Sequence, residues 1–191
     1  MTGSALQWVG EFLDLANPVE DAAALAASVC DSAGVHFVPA MSGLGAPYWD
    51  SAARGTIAGL SRTSTRAHLA RAAVEAIAFQ VRDVFDAMER ESGTALPALR
   101  ADGGATRNDA LMQFQADVLG RAVLRATTED LSALGAAKLA GVVLGWWESL
   151  EALPCTTTSF EPRICADERE AKYGAWQHAV AQARLKAEAA A

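Results

Sequence analysis

Short apolar runs alternate with helical segments from about residue 95 onward, and this alternation most limits the folds open to the chain. The run ALRAD at residues 98–102 predicts a strand, and so does AVLRATT at residues 122–128. The stretch between them, Asn108 to Leu119, carries its large apolar side chains on one helical face. A strand, a helix and a second strand in this order favour an α/β layer with some parallel pairing.

The other periodic segments are mostly helical. Helices are predicted at Ser4 to Leu15, from Pro18, at Thr65 to Glu91, over ALGAAKLAGVVLGWW after a Ser132 cap, and from about Asp167. In the longest of these helices, one face is predicted to be buried, namely Leu69, Ala73, Ile77, Val81, Val84 and Met88. Its polar side chains are expected to face water, namely Arg71, Arg82, Asp86 and Glu89. We expect one domain over residues 1–191, with a helical tail from about residue 166.

Charge and composition exclude several classes of partner. The chain has 16 basic and 23 acidic residues, a net charge of −7, and its basic residues are scattered, which argues against nucleic acid. Apolar runs fall well short of the roughly 20 residues needed to span a membrane, and no signal peptide is apparent. The three cysteines show no metal-binding spacing, and their odd number suits a reducing compartment. We therefore expect a cytoplasmic protein.

The glycine pair after the ALRAD run is the first candidate site. Two adjacent glycines indicate either a backbone φ above zero or a close approach by another helix or a ligand. Asn108 follows, and its amide suits a helix cap as well as the edge of a heterocycle. The spacing matches neither the Rossmann nor the Walker pattern. A later segment rich in small residues, ALGAAKLAG, permits close approach by a ligand or by tight packing.

Four blocks of sequence resemble the C-terminal half of FGGY carbohydrate kinases, and within them the glycerol kinase branch. They read FVPAMSGLGAPYWDSAARGTIAGLSR, EAIAFQVRDVFDAM, ADGGATRNDALMQFQADVLG and SALGAAKLAGVVLGWW. The block GLGAPYWD with the following ARG is distinctive of the glycerol branch. The resemblance covers nearly the whole chain and extends through the ending FEPRI…REAKYGAWQHAV.

The resemblance implies an α/β fold of the RNase H-like class, in the actin/hexokinase/Hsp70 superfamily, as a C-terminal nucleotide-binding domain with its first strands missing. In such kinases the Gly-Gly turn lies against adenosine, and the family pair maps onto Gly104 and Asn108. A second nucleotide-side pair, located at the start of a helix, maps onto Gly3 and Gln7. The implied cofactor is ATP or ADP, with Mg²⁺ in the intact enzyme.

The implied reaction of the intact enzyme is ATP plus glycerol to ADP plus sn-glycerol 3-phosphate. By resemblance, the carboxylate base and the phosphate loops lie upstream of this chain, so it is expected to hold no catalytic or metal-binding residue and to be inactive alone. Asp50 and Asp102 are expected to bond turn backbone rather than to act as bases. Missing strands would leave apolar surface exposed, which predicts self-association or an N-terminal kinase half as partner. Two alternatives remain: a non-catalytic interaction or regulatory fragment, or half of a kinase for another polyol or sugar.

Overall fold

The computed structural model describes residues 2–128, 131–150 and 156–185. The helices in chain order are α1 (Thr2–Phe12), α2 (Pro18–Ala27), α3 (Arg66–Ser92), α4 (Asp109–Leu119), α5 (Leu131–Val143) and α6 (Ala166–Ala183). The strands are β1 (His36–Val38), β2 (Thr56–Ala58), β3 (Ala98–Ala101), β4 (Ala122–Ala126) and β5 (Thr157–Phe160). A short 3-10 helix, Gly104–Arg107, lies between β3 and α4. The two compact units of the chain are Met1–Ala95 with Ile164–Ala191, and Leu96–Arg163.

The first unit contains four helices and an antiparallel pair, β1 with β2, among its described residues. Helix α1 ends at Phe12, three residues before the predicted end, and the chain then turns into α2 at Pro18. The two helices are close at this turn, because a Cβ added at Gly10 would lie 2.1 Å from the carbonyl oxygen of Pro18. Glycine at position 10 is therefore required by packing.

Helix α3 is the longest element of this unit, and its predicted limits are confirmed. The Thr65 side chain forms a capping box with His68, and Gly93 ends the helix in the left-handed region at φ 65°. The prediction that Arg82 faces water is wrong, since that side chain is buried. The prediction that Met88 is buried is also wrong, since it is exposed.

The reason for the Arg82 result lies on α6. The Nη2 atom of Arg82 donates to both carboxylate oxygens of Glu170, at 2.9 and 2.8 Å. The guanidinium also lies over the ring of Tyr173, with Cζ 3.8 Å from the ring centroid. An acidic and an aromatic side chain on α6 therefore allow an arginine to be buried on the face of α3 that periodicity assigned to solvent.

The second unit is built on a three-stranded sheet of order β3-β4-β5. Strands β3 and β4 are parallel, as the sequence predicted, with Ala101 opposite Arg125. Strand β5 pairs with β4 in the antiparallel direction and was not predicted. Helix α4 connects the parallel strands and ends at Gly120, whose φ is 63°.

Helix α5 differs from its prediction at both ends. Ser132 lies within the helix rather than before it, and the helix ends at Val143, short of the predicted tryptophans. Beyond Gly145, at φ 75°, the chain turns back. The ring of Trp147 then covers Gly141, where an added Cβ would lie 2.1 Å from the ring. Gly141 is the single buried residue among those of α5 that the structure describes.

Candidate functional site

The glycine turn connects β3 to α4 at the carboxyl end of the parallel strands. Gly103 has φ 91° and ψ 175°, a conformation that only glycine adopts readily. The buried Thr106 stabilises the turn, since its backbone N–H and its hydroxyl both donate to the Gly103 carbonyl, at 3.0 and 2.8 Å. The turn is thus held by the two hydrogen bonds that the backbone and the side chain of one buried threonine donate to Gly103.

Gly104 requires a different explanation from Gly103. Its φ lies outside the positive range that favours glycine, and a Cβ added there would meet no described atom within 4 Å. Neither backbone geometry nor protein packing therefore requires glycine at this position. Of the alternatives raised by the sequence, close approach of another helix finds no support, and space for a ligand remains.

Asn108 is the N-cap of α4, as one of its two predicted roles required. Its side-chain Oδ1 accepts a hydrogen bond from the Leu111 backbone N–H at 3.0 Å. Because the cap uses the oxygen, the NH₂ group is the part of the amide that remains to donate to a ligand. The Asn108 side chain is half-buried.

A cavity of about 270 Å³ opens beside the turn. Its walls are formed by Gly103, Gly104, Thr106, Arg107, Arg125, Ala126, Thr127, Thr128 and Thr158. Gly104 belongs to this lining, whereas Asn108 does not. The carboxyl ends of parallel strands are the usual place for ligands in open α/β sheets. The glycine turn therefore borders a space of the kind that binds small molecules.

Several cavity residues were missed by sequence reasoning. Thr158 could not be placed because β5 was not predicted. Arg125 and Thr127 lie in and directly after β4, and their position beside the turn follows from the parallel pairing of β4 with β3. The parallel pairing was the signal that could have found them, since it brings the ends of both strands to one edge.

The second predicted pair lies in the first unit. Gly3 is in the first turn of α1, so the prediction that this pair begins a helix is confirmed. Gln7 is exposed, and its Nε2 donates to the Glu11 carboxylate at 2.5 Å, one turn further along the helix. The roles of Gly3 and Gln7 in nucleotide binding stay predictions.

Asp50 confirms its predicted role as a turn residue. Its Oδ1 accepts from the backbone N–H groups of Ala52 and Ala53, at 3.0 and 3.2 Å. Its Oδ2 accepts from Nε of Arg184 at 3.2 Å. The bond from Arg184 and those from the backbone hold the pKa of this carboxyl below its usual value, which suits a permanently ionised turn residue rather than a base. Asp102 is exposed directly after β3.

Asp83 and His36 are among the other groups of the first unit whose pKa values are shifted. Burial raises the pKa of Asp83, although hydrogen bonds from Tyr173, Trp176 and Tyr48 oppose the rise. Burial lowers the pKa of His36, partly opposed by the negative charge of Glu75.

Within residues 2–128, 131–150 and 156–185, no three His, Cys, Asp or Glu side chains are grouped so as to hold a metal ion. In that same part of the chain, no helix is both long and apolar enough to cross a membrane.

Solved structures share this fold. The crystal structure of Plasmodium falciparum glycerol kinase with ADP aligns with 97% of this chain and 38% of its own, with a TM-score of 0.87 and 32% sequence identity. The xylulose kinase from Rhodospirillum rubrum aligns with 94% of this chain and 38% of its own, at a TM-score of 0.75 and 32% identity. The fold is therefore the mixed α/β, RNase H-like fold of these sugar and polyol kinases.

Sequence comparison gives the family. The model described as "FGGY family of carbohydrate kinases, C-terminal domain" matches residues 1–144. The glycerol kinase of Dechloromonas aromatica is 51% identical over 183 residues, which are 94% of this chain and 36% of the relative. That of Janthinobacterium is 49% identical over 187 residues, or 96% of this chain and 38% of the relative. The chain belongs to the FGGY family of carbohydrate kinases, and it is similar to the C-terminal part of glycerol kinases while spanning 36% to 38% of these relatives' length.

Proposed function

We propose that this chain is the adenine-nucleotide-binding C-terminal part of a glycerol kinase-like enzyme. The adenosine of ATP or ADP lies against the backbone of Gly103 and Gly104, and the Asn108 amide donates to the nucleotide. The observation that carries the proposal is Gly104, which borders a cavity of about 270 Å³ although neither its φ nor its neighbours require glycine. The ADP in the crystal structure of the Plasmodium falciparum relative supports the choice of ligand.

The second nucleotide-side pair, Gly3 and Gln7, is part of the same proposal. Gly3 lies at the start of α1, and Gln7 carries an amide on the exposed surface one turn later. Its present hydrogen bond to Glu11 is between exposed side chains, so it can be exchanged for a ligand at small cost.

In the intact enzyme, the γ-phosphoryl group of ATP passes to a hydroxyl oxygen of glycerol, giving ADP and sn-glycerol 3-phosphate. The hydroxyl proton goes to a carboxylate that lies outside this chain. Enzymes of this kind act by positioning and by electrostatic stabilisation of the transferred group. By holding the adenosine, this chain fixes one end of the nucleotide. It has no proposed catalytic residue, and by itself it is expected to be inactive.

Magnesium does not fit the residues of this cavity. Mg²⁺ binds carboxylate and water oxygens, and the cavity lining holds threonines, two arginines and small residues but no carboxylate. The metal of the intact reaction therefore belongs with the phosphates and with residues outside the cavity.

An interaction role is the second candidate, and helix α5 favours it. Five large apolar side chains on α5 and directly after it are exposed, namely Leu139, Val143, Leu144, Trp146 and Trp147. Exposed apolar patches usually mark interaction sites. Since the relatives are much longer than this chain, we propose that an N-terminal kinase half covers this surface. The chain alone is expected to self-associate through it.

Calorimetric titration with Mg-ADP tests the nucleotide proposal. We expect saturable binding that free adenosine displaces and that inorganic pyrophosphate does not, because the proposed contacts are to adenosine. Absence of binding would contradict the proposal for this chain alone and leave the interaction role as the better description. Displacement of Mg-ADP by inorganic pyrophosphate would instead mean that the chain binds the phosphates of the nucleotide.

A further inference from the structure

The side chain of Arg125 connects strand β4 to the glycine turn. Its Nη1 atom donates to the backbone carbonyl of Thr106 at 2.9 Å and to the carboxylate of Asp109 at 2.5 Å. Thr106 lies two residues before Asn108, and Asp109 lies directly after it. One guanidinium nitrogen is therefore bonded on both sides of the residue proposed to face the nucleotide.

These bonds continue into the glycine pair. The residue that accepts from Arg125, Thr106, itself donates from its N–H and its hydroxyl to the carbonyl of Gly103. A chain of hydrogen bonds thus runs from the sheet, through Thr106, to the turn that borders the cavity. Because the strand is a rigid element, a turn bonded to it is held in a defined position.

Arg125 is itself held in place. Its Cζ lies 5.1 Å from the centroid of the Phe160 ring, at the end of β5. The Arg125 side chain is 22% exposed, whereas its partner Asp109 is 74% exposed. A half-buried arginine side chain with two acceptors and an aromatic neighbour has little freedom to reorient when a ligand binds.

We propose that Arg125 is a positioning residue for adenosine binding: it fixes the turn from Gly103 to Asn108 against β4 without contacting the phosphates. The inference rests on the proposed function, since it concerns the same site. Arg125 also lines the cavity, and its role follows from the partners it already has, because its Nη1 atom is bonded to the turn on both sides of Asn108.

The substitution Arg125→Gln tests this inference, with titrations of both adenosine and Mg-ADP. We expect both affinities to fall by the same factor, about tenfold, because the turn is displaced for either ligand. If Arg125 contacted phosphate directly, the substitution would lower the affinity for Mg-ADP and leave the affinity for adenosine unchanged. That result would overturn the inference. The matched control is Arg100→Gln. Arg100 is exposed on the neighbouring strand β3 and lies outside the cavity lining, so this variant should bind both ligands as the original chain does.

Asp109→Asn provides a second variant should Arg125→Gln fold poorly. Asp109 is exposed, and its substitution weakens one of the two bonds of Arg125 while leaving the fold intact. We expect a smaller loss that is again equal for adenosine and Mg-ADP. If the original chain binds neither ligand, the proposed function fails and this inference fails with it. If the original chain binds both and the variants bind equally well, only the inference fails.

Discussion

The carboxylate of Asp83 on α3 accepts a hydrogen bond from the indole Nε1 of Trp176 on α6, at 3.0 Å, although the two residues are 93 positions apart. The hydroxyl of Tyr173 donates to the other carboxylate oxygen at 2.7 Å. All three side chains are buried. A buried carboxylate is tolerated here because both of its oxygens are satisfied, and it joins α3 to α6 within the first unit.

Asp83→Asn should destabilise the chain by about 1–3 kcal/mol. The amide presents an NH₂ group to one of two buried donors, so that donor loses its acceptor. The free energy of unfolding in urea measures the effect. Asp86→Asn, on the same helix but more exposed, is the control and should cost less than about 1 kcal/mol. Equal effects of the two substitutions would contradict the role assigned to Asp83.

Stability should depend on pH through His36. Burial holds its pKa below the ordinary value of 6.5, so the folded chain binds fewer protons at this site than the unfolded chain. The contribution of the neutral ring is therefore present above pH 6.5 and is lost as the pH falls through the lowered folded pKa. The free energy of unfolding in urea should be measured at several pH values for the original chain and for His36→Gln. The difference between the two values should change only in this pH window. A difference independent of pH would contradict the prediction.

Asn108→Asp separates the two roles of Asn108. The carboxylate keeps an acceptor for the Leu111 N–H and is favourable at a helix N-terminus, so the free energy of unfolding should change by less than about 0.5 kcal/mol. The donor NH₂ group is lost, so binding of adenosine, which carries no charge to repel, should weaken severalfold. Asn108→Ala should lose both the cap, about 1 kcal/mol, and the affinity. Unchanged adenosine affinity in Asn108→Asp would limit Asn108 to capping.

The exposed side chains of α5 predict self-association of the isolated chain. Light scattering should find dimers or larger species, and Val143→Asp should shift them towards monomer, because it places a charge in the apolar patch. Leu60→Asp, at another exposed leucine, is the control and should leave the association unchanged. A monodisperse monomer of the original chain would contradict this prediction.

Most helices could be predicted from local signals. Helices α3 and α4 have caps that are visible in the sequence, Thr65 and Gly93 for one and Asn108 and Gly120 for the other. The parallel pairing of β3 with β4 followed from the order of the elements. These features depend on residues close in sequence, or on simple rules of chain connection.

Two of the errors come from distant partners. Arg82 is buried because Glu170 pairs with it, and periodicity within α3 contains no information about a residue on α6. Strand β5, with the short sequence TTSF, forms by pairing with β4 rather than from strong local preference. Arg125 was recognised as part of the candidate site only from the structure, in which the sheet places β4 beside the turn. The glycine pair and Asn108 were found in the sequence because their chemistry is local.

The proposed adenosine site at the glycine turn is tested most directly by a calorimetric titration of Mg-ADP into Gly104→Leu, compared with Gly174→Leu. A Cβ added at either glycine would meet no described atom within 4 Å and neither glycine has a positive φ, so both variants are expected to fold like the original chain. Gly104 borders the cavity, whereas Gly174 lies on α6 and is not part of the cavity lining. Leucine at position 104 is expected to fill the space for adenosine and abolish Mg-ADP binding, while leucine at position 174 should leave binding unchanged. Binding of Mg-ADP to Gly104→Leu with the affinity of the original chain would contradict the proposed site.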